Sequence, residues 1–159
     1  MRKIAAFVAA FTLMGSWAGA AETPRADDWR TINRLLLQAG EAEQKGDYDG
    51  AVRAYGGILA IRPDDEAILL DRGGNYAGKK DFDHALADFD QAVKLKPDDA
   101  MAYNDRGIVR LSKRDYGRAI GDFTMALKLN PDYAEALGYR AIAYDAGRDF
   151  DHALTDFSA

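Results

Sequence analysis

EAILLDRGGNYAGKKDFDHALADFDQAVKLKPDD, residues 66–99, decides the fold, because residues 100–133, AMAYNDRGIVRLSKRDYGRAIGDFTMALKLNPDY, repeat its pattern at a period of 34. The period continues outward in both directions, with prolines at Pro63, Pro97 and Pro131, alanines at Ala51, Ala85, Ala119 and Ala153, and aromatic residues at Tyr55, Phe89, Phe123 and Phe157. A fixed period of about 20–50 residues is typical of arrays in which copies of one small unit stack on each other.

Each copy has the pattern of two helices joined by a short turn. In residues 66–99, Leu69, Gly73 and Tyr76 fall at helical spacing, residues 78–81 interrupt the pattern, and a second helical stripe precedes the proline. An aspartate stands where every second helix is expected to begin, at Asp47, Asp81, Asp115 and Asp149. Its carboxylate can cap the helix, so these residues are predicted to be structural. A further helix is expected to begin around Trp29, capped by Asp27 or Asp28.

Composition excludes several classes of function. The 159 residues carry 21 basic and 26 acidic side chains, a net charge of -5, which disfavours nucleic acid as a partner. There is no cysteine, so the chain has no disulfide, no thiolate metal ligand and no cysteine nucleophile.

The N-terminus has the pattern of an export signal. Arg2 and Lys3 precede an apolar run at residues 4–14, and small residues follow at 18–20. We therefore expect residues 1–21 to be a cleaved signal peptide, residues 22–31 a polar lead, and the mature protein to be periplasmic or secreted. The alternative is an uncleaved membrane anchor, because the uncharged stretch 4–21 is at the lower length limit for spanning.

The repeat resembles the tetratricopeptide repeat of 34 residues. Counted from Glu66, that family's characteristic positions hold Leu69, Gly73, Tyr76, Ala85, Phe89, Ala92 and Pro97. The resemblance implies an all-α, right-handed superhelical array of antiparallel helix hairpins, about three and three-quarter repeats long. The copies span residues 32–65, 66–99, 100–133 and 134–159, the last incomplete.

One place in the repeat that is usually apolar in the family holds arginine in three of the copies, at Arg72, Arg106 and Arg140. The first copy has Gln38 there. The arginines could form a basic ladder for an acidic ligand. We favour a structural role, with stems packed between helices and heads paired to acidic neighbours such as Asp71 and Asp105.

The fourth copy is incomplete, and repeat arrays normally cover their last apolar face with a capping helix, so we expect that the chain is shortened or that another surface covers this copy. Leu154 and Phe157 are therefore predicted to form a C-terminal interface, which would allow a homodimer through this copy.

No catalytic, cofactor-binding or metal-binding residue is predicted. Residues 73–80 have the glycines and lysine of a phosphate-binding loop, but they lack the following Ser or Thr and a preceding strand. His84 and His152 share a variable place in the repeat that we expect to be exposed. The Asp-x-Asp pairs lack the further ligands of a calcium loop.

In the family that the chain resembles, the first helices line a concave groove that binds peptides. The corresponding residues here are Asn33, Asp71, Asn104, Asp105, Ile108, Leu111, Tyr139, Ile142 and Asp145. Relatives that grip a terminal carboxylate carry Lys, Asn and Arg in the groove, and these are replaced here, so a basic or mixed extended segment or a partner helix is expected instead.

These patterns together predict a non-catalytic adaptor of the bacterial cell envelope that binds another protein. Two alternatives remain open at this point: a regulatory part of a larger enzyme, and a self-associating structural module.

Overall fold

The computed structural model describes residues 26–158, and this part of the chain is entirely helical. The helices are α1 (Ala26–Gln44), α2 (Tyr48–Ile61), α3 (Glu66–Gly78), α4 (Phe82–Leu95), α5 (Ala100–Ser112), α6 (Tyr116–Leu129), α7 (Ala134–Ala146) and α8 (Phe150–Phe157). Helix α1 begins at Ala26, about one turn before the predicted start at Trp29. The predicted signal peptide lies outside the described residues.

Each helix packs on the helix before it and the helix after it in the chain. Contacts also join first helices of neighbouring copies, α3 with α5 and α5 with α7. The predicted all-α array of helix hairpins is therefore confirmed. The turn inside each hairpin places one residue in the left-handed region, Gly46, Lys80, Arg114 and Arg148 in the four copies, at φ between 61° and 68°. This conformation ends the first helix and starts the reversal.

In the second and third copies, a buried aromatic ring packs on a glycine of the first helix. Phe123 is 0% exposed, and a Cβ added to Gly107 would lie 2.7 Å from its ring. Gly73 and Phe89 make the same contact in the second copy. The glycines therefore allow the two helices of a hairpin to approach closely.

The predicted aspartate caps are found in two of the four copies. Asp47 accepts a hydrogen bond from the backbone N–H of Gly50, and Asp149 from that of His152. Asp81 and Asp115 make no cap hydrogen bond; their carboxylates bind the side chains of the residues three positions later. Two first helices also have aspartate caps that the sequence interpretation did not identify: Asp65 caps α3 and Asp99 caps α5.

The repeated arginines have a structural role, but the predicted partners were wrong. Arg72 donates two hydrogen bonds to Asp88, at 2.8 and 2.7 Å, and the equivalent pairs are Arg106 with Asp122 and Arg140 with Asp156. Each pair ties the first helix of a copy to its second helix, 16 residues along the chain. The hydrogen bonds to Asp88 raise the pKa of the Arg72 guanidinium, which therefore stays charged.

The predicted C-terminal interface is exposed. Leu154 is 71% exposed and Phe157 is 62% exposed, whereas Phe89 and Phe123, at the same place in their copies, are 1% and 0% exposed. The difference arises because the rings of the inner copies are covered by the next hairpin. Tyr139 of α7, for example, stacks on Phe123 with ring centroids 5.9 Å apart.

Among the helices described, none has both the length and the apolar character that a membrane crossing requires.

Candidate partner-binding groove

A cavity of about 410 Å³ opens between α1, α3 and α5, on the side formed by the first helices. Its lining combines carboxylates with apolar side chains: Glu43, Tyr48, Leu70, Asp71, Gly74, Asn75, Met101 and Asp105. Helical spacing brings these groups together, because Leu70, Asp71 and Gly74 lie on one face of α3, and Met101 and Asp105 on one face of α5.

Gly74 determines the depth of this cavity. A Cβ added at Gly74 would meet no heavy atom within 4 Å, so the glycine leaves space that any other residue would fill. Met101 forms an apolar part of the wall and is 48% exposed. The cavity therefore offers an open apolar surface beside its carboxylates.

Two carboxylates of the cavity lack basic partners among the described residues. In the part of the chain that the structure describes, neither Asp71 nor Asp105 forms an ion pair with Lys or Arg, unlike the buried aspartates on the second helices. Glu43 accepts through Oε1 from Nδ2 of Asn75 at 2.7 Å and from the Tyr55 hydroxyl at 3.1 Å. These two donors are neutral, so the negative charge of the cavity is uncompensated.

Burial and neighbouring carboxylates oppose ionisation here. The pKa of Asp105 is raised to about 6, chiefly by desolvation; the charges of Glu135 and Asp99 add to the rise, and a hydrogen bond from Asn104 opposes it. Desolvation by the surrounding helices, followed by the charge of Glu43, raises the pKa of Asp71, although the residue as a whole is exposed. A cation in the cavity would favour the ionised form of both groups.

We expect Asp105→Asn to stabilise the fold at neutral pH but not in acid. The pKa of Asp105 is higher in the folded state than in the unfolded state, so its contribution to stability is complete below about pH 4 and is lost as the pH rises through 6. The variant should raise the free energy of unfolding by about 2 kcal/mol at pH 7 and by nothing measurable at pH 3.5.

Urea denaturation of both proteins at a series of pH values measures this difference. Other carboxyl groups make stability depend on pH in the opposite direction. Examples are Asp81 and Asp149, whose pKa values are lowered by hydrogen bonds from His84 and His152. These contributions are the same in both proteins and cancel in the difference between them. A stability difference that is the same at every pH would contradict the expected role of Asp105.

The groove residues predicted from the sequence are distributed unevenly around this cavity. Asp71 and Asp105 line it. Asn104 is only 1% exposed, and its Nδ2 donates to Asp105 at 3.4 Å, so it supports that carboxylate from behind. The others lie on the first helices outside the cavity: Asn33, Ile142 and Asp145 are exposed, and Ile108, Leu111 and Tyr139 are half-buried.

Sequence reasoning missed several residues of the cavity. Glu43 occupies a groove place of the first copy and could have been selected by the same rule that selected Asp145. Tyr48 could not have been selected by that rule, because it belongs to α2, a second helix, and the rule covers first helices only. Gly74 occupies the groove place that Ile108 and Ile142 hold in later copies and could also have been selected, whereas Asn75 stands at no groove place.

The histidines and the glycine-rich segment singled out from the sequence make structural contacts. His84 and His152 are exposed, as predicted, and their rings stack on Tyr76 and Tyr144 with centroids 5.0 Å apart. Residues 73–78 of the loop-like glycine motif lie in α3, and Lys79 forms an ion pair with Asp49. Across residues 26–158, no group of three His, Cys, Asp or Glu side chains is arranged to hold a metal ion.

Comparison with known proteins agrees with this architecture. Two tetratricopeptide repeat family models match the chain, one over residues 36–100 and one over residues 74–141. No curated protein sequence matches it.

Three solved structures illustrate the similarity. The crystal structure of MamA is 28% identical, with a TM-score of 0.72, over 76% of this chain and 70% of that one. The O-GlcNAc transferase of Thermobaculum terrenum is 30% identical, with a TM-score of 0.68, over 76% of this chain but only 23% of the transferase. The first repeat domain of RPAP3, bound to the HSP90 peptide SRMEEVD, is 24% identical, with a TM-score of 0.71, over 75% of this chain and 94% of that domain, and this likeness concerns the fold alone. The period, the hairpin packing and the two family models together show that the chain belongs to the tetratricopeptide repeat family.

Proposed function

We propose that this protein is a non-catalytic adaptor of the bacterial cell envelope, which binds an extended basic or mixed segment of a partner protein in the cavity between α1, α3 and α5. The observation that carries the proposal is the uncompensated charge of Asp71 and Asp105 beside the apolar surface of Leu70 and Met101. A Lys or Arg side chain of a bound segment would pair with the carboxylates, and its apolar neighbours would cover the wall.

The electrostatics of the cavity favour this ligand over an acidic one. The peptide bound by RPAP3, SRMEEVD, carries three acidic residues and one basic residue. In the groove of the present chain, such a peptide would meet like charges at Asp71 and Asp105. The proposed partner segment therefore differs in charge from the ligand of that structural neighbour. The cell-envelope location rests on the basic and apolar pattern of residues 1–21, and the N-terminus of the protein recovered from the periplasm tests it.

Two peptides of opposite charge test the binding function directly. One is an extended peptide with Lys at every third position and Leu and Ser between, and the other replaces every Lys by Glu. We expect the lysine peptide to bind and the glutamate peptide not to bind, measured by fluorescence anisotropy at physiological salt. Asp71→Lys combined with Asp105→Lys should weaken binding of the lysine peptide at least tenfold, because two attractions become repulsions.

A pair of glycine variants separates the cavity from general effects on the fold. Gly74→Leu fills the cavity, whereas Gly121→Leu adds the same side chain on α6 outside the cavity, where a Cβ also meets nothing within 4 Å. Both variants replace a mid-helix glycine and gain similar helix propensity. Only Gly74→Leu should abolish binding. Equal affinity of the two variants, or equal binding of the two peptides, would refute the proposed groove.

A further inference from the structure

Asn104 is a buried polar residue beside the carboxylate of Asp105, and its side chain is 1% exposed. The other copies have Leu36, Leu70 and Gly138 at the same place, so the packing of the repeat does not require a polar residue there. Burying an amide costs free energy unless its polar atoms are hydrogen-bonded. The amide of Asn104 is therefore to be explained by its polar neighbour at the cavity.

The hydrogen bonds of this amide are incomplete. Nδ2 of Asn104 donates to Oδ1 of Asp105 at 3.4 Å, which is long for a hydrogen bond to a charged group. Oδ1 of Asn104 is buried and accepts no hydrogen bond from any of the described residues. A buried oxygen without a donor destabilises the protein, so a donor brought to this oxygen would be stabilising.

Asp105 itself supplies that donor when it takes up a proton. A protonated carboxyl group carries one O–H donor, and rotation of the Asn104 amide about its last torsion directs Oδ1 towards it. The same side chain thus donates to the carboxylate and accepts from the carboxylic acid. Asn104 therefore holds the Asp105 carboxyl in place in both protonation states, which an apolar residue at this place cannot do.

The surroundings of Asp105 favour uptake of this proton. Desolvation raises its pKa most, and the negative charges of Glu135 on α7 and of Asp99 at the start of α5 add to the rise. Towards α4 and α6, the charge of Arg106 is already paired with an aspartate of each helix. The other ionisable side chains that line the cavity or interact with Asp105 are acidic: Glu43 of α1, Tyr48 of α2, Asp71 of α3 and Tyr133 before α7.

We infer that the cavity releases a bound basic segment in mild acid, because Asp105, held in place by Asn104, exchanges the attraction of the segment for a proton. The inference rests on the proposed function, since it concerns the same cavity and the same ligand. Binding and protonation oppose each other at this carboxyl group: a bound Lys or Arg head favours the ionised form, and a proton weakens the attraction for the head. Asn104 is a positioning residue, which acts through Asp105 and does not contact the segment.

The affinity of the lysine peptide at different pH values tests this linkage. The dissociation constant, measured by fluorescence anisotropy, should be about tenfold higher at pH 5 than at pH 7.5, because a carboxyl group with a pKa of about 6 is mostly protonated at the lower value. Calorimetry in buffers of different ionisation enthalpy should show about one proton released per bound peptide at pH 5 and almost none at pH 7.5. Asp105→Asn should bind more weakly at pH 7.5 and should lose most of the pH dependence.

Asn104→Leu tests the positioning role. The variant introduces the residue that the second copy carries at this place, so the helices should still pack. It removes the hydrogen bond that favours the ionised form, and the pH at which the affinity begins to fall should therefore rise. In the free wild-type protein, the NMR signals of the Asn104 side-chain NH₂ group should shift with pH over the range in which the affinity falls. A purely structural Asn104 would leave the pH profile of the variant unchanged, and that result would overturn the inference.

The two histidines of the chain provide the control, because histidine ordinarily changes its charge in this pH range. His84 and His152 lie on second helices and do not line the cavity. His84→Gln combined with His152→Gln should leave the pH dependence of binding unchanged; its disappearance would assign the effect to the histidines and refute the role of Asp105. Equal affinity at pH 5 and pH 7.5 without proton release would overturn the inference but leave the proposed groove intact. A lysine peptide that binds at neither pH would overturn both.

Discussion

Arg72→Gln is expected to lower the free energy of unfolding at pH 7 by about 2–4 kcal/mol, because it leaves Asp88 ionised and nearly buried without its two hydrogen bonds. Asp88 is 5% exposed, so water cannot replace the guanidinium. Urea denaturation at pH 7 measures the loss.

The double variant Arg72→Gln with Asp88→Ala shows whether the cost arises from the unpaired charge. This combination reproduces the first copy of the array, which has Gln38 and Ala54 at the two places. We expect it to recover most of the lost stability, since removing both members of a buried pair is often nearly neutral. The control is Lys113→Gln, which breaks an ion pair to Asp83, an 86% exposed side chain, and should cost less than about 1 kcal/mol. A double variant as unstable as Arg72→Gln alone would contradict this account.

Phe123→Ala is expected to destabilise the protein by about 3–5 kcal/mol, because it removes a fully buried ring and leaves a cavity between α5, α6 and α7. Phe157→Ala is the matched control. It makes the same change at the same place of the fourth copy, where the ring is 62% exposed, and should cost less than about 1 kcal/mol.

Both phenylalanine variants should be compared by urea denaturation. Similar losses for the two variants would mean that a further segment covers Phe157.

Much of the fold was predictable because one period controls both local structure and packing. The recurrence of Phe89 and Phe123 at a 34-residue period predicted the helix hairpins, but not the packing of these rings on the glycines of the same hairpin. The arginine partners were misassigned because Asp71 and Asp105 were chosen as neighbours along the chain, whereas pairing takes place between two helices. A signal was nevertheless present: wherever the repeat has arginine, aspartate follows 16 residues later, and the first copy lacks both.

The groove was less predictable than the fold. Repeat positions place a residue on the concave side, but they do not determine how deeply it is buried, which is why Asn104 and Asp105 differ in accessibility. The cavity also depends on Tyr48, which reaches it from a second helix. Its volume depends on Gly74, whose effect is the absence of a side chain. Such properties arise from three-dimensional packing and leave no periodic pattern.

The packing of each helix on its sequence neighbours also determines how the molecule opens. A helix at either end, such as α8, is held from one side only and can detach while the rest stays folded. An inner helix such as α4 is held from both sides, and it opens only after a neighbour has separated. Local unfolding is therefore expected to advance from the ends of the described helices towards the middle. The cavity between α1, α3 and α5 would lose its wall first at α1, the helix nearest the N-terminal end.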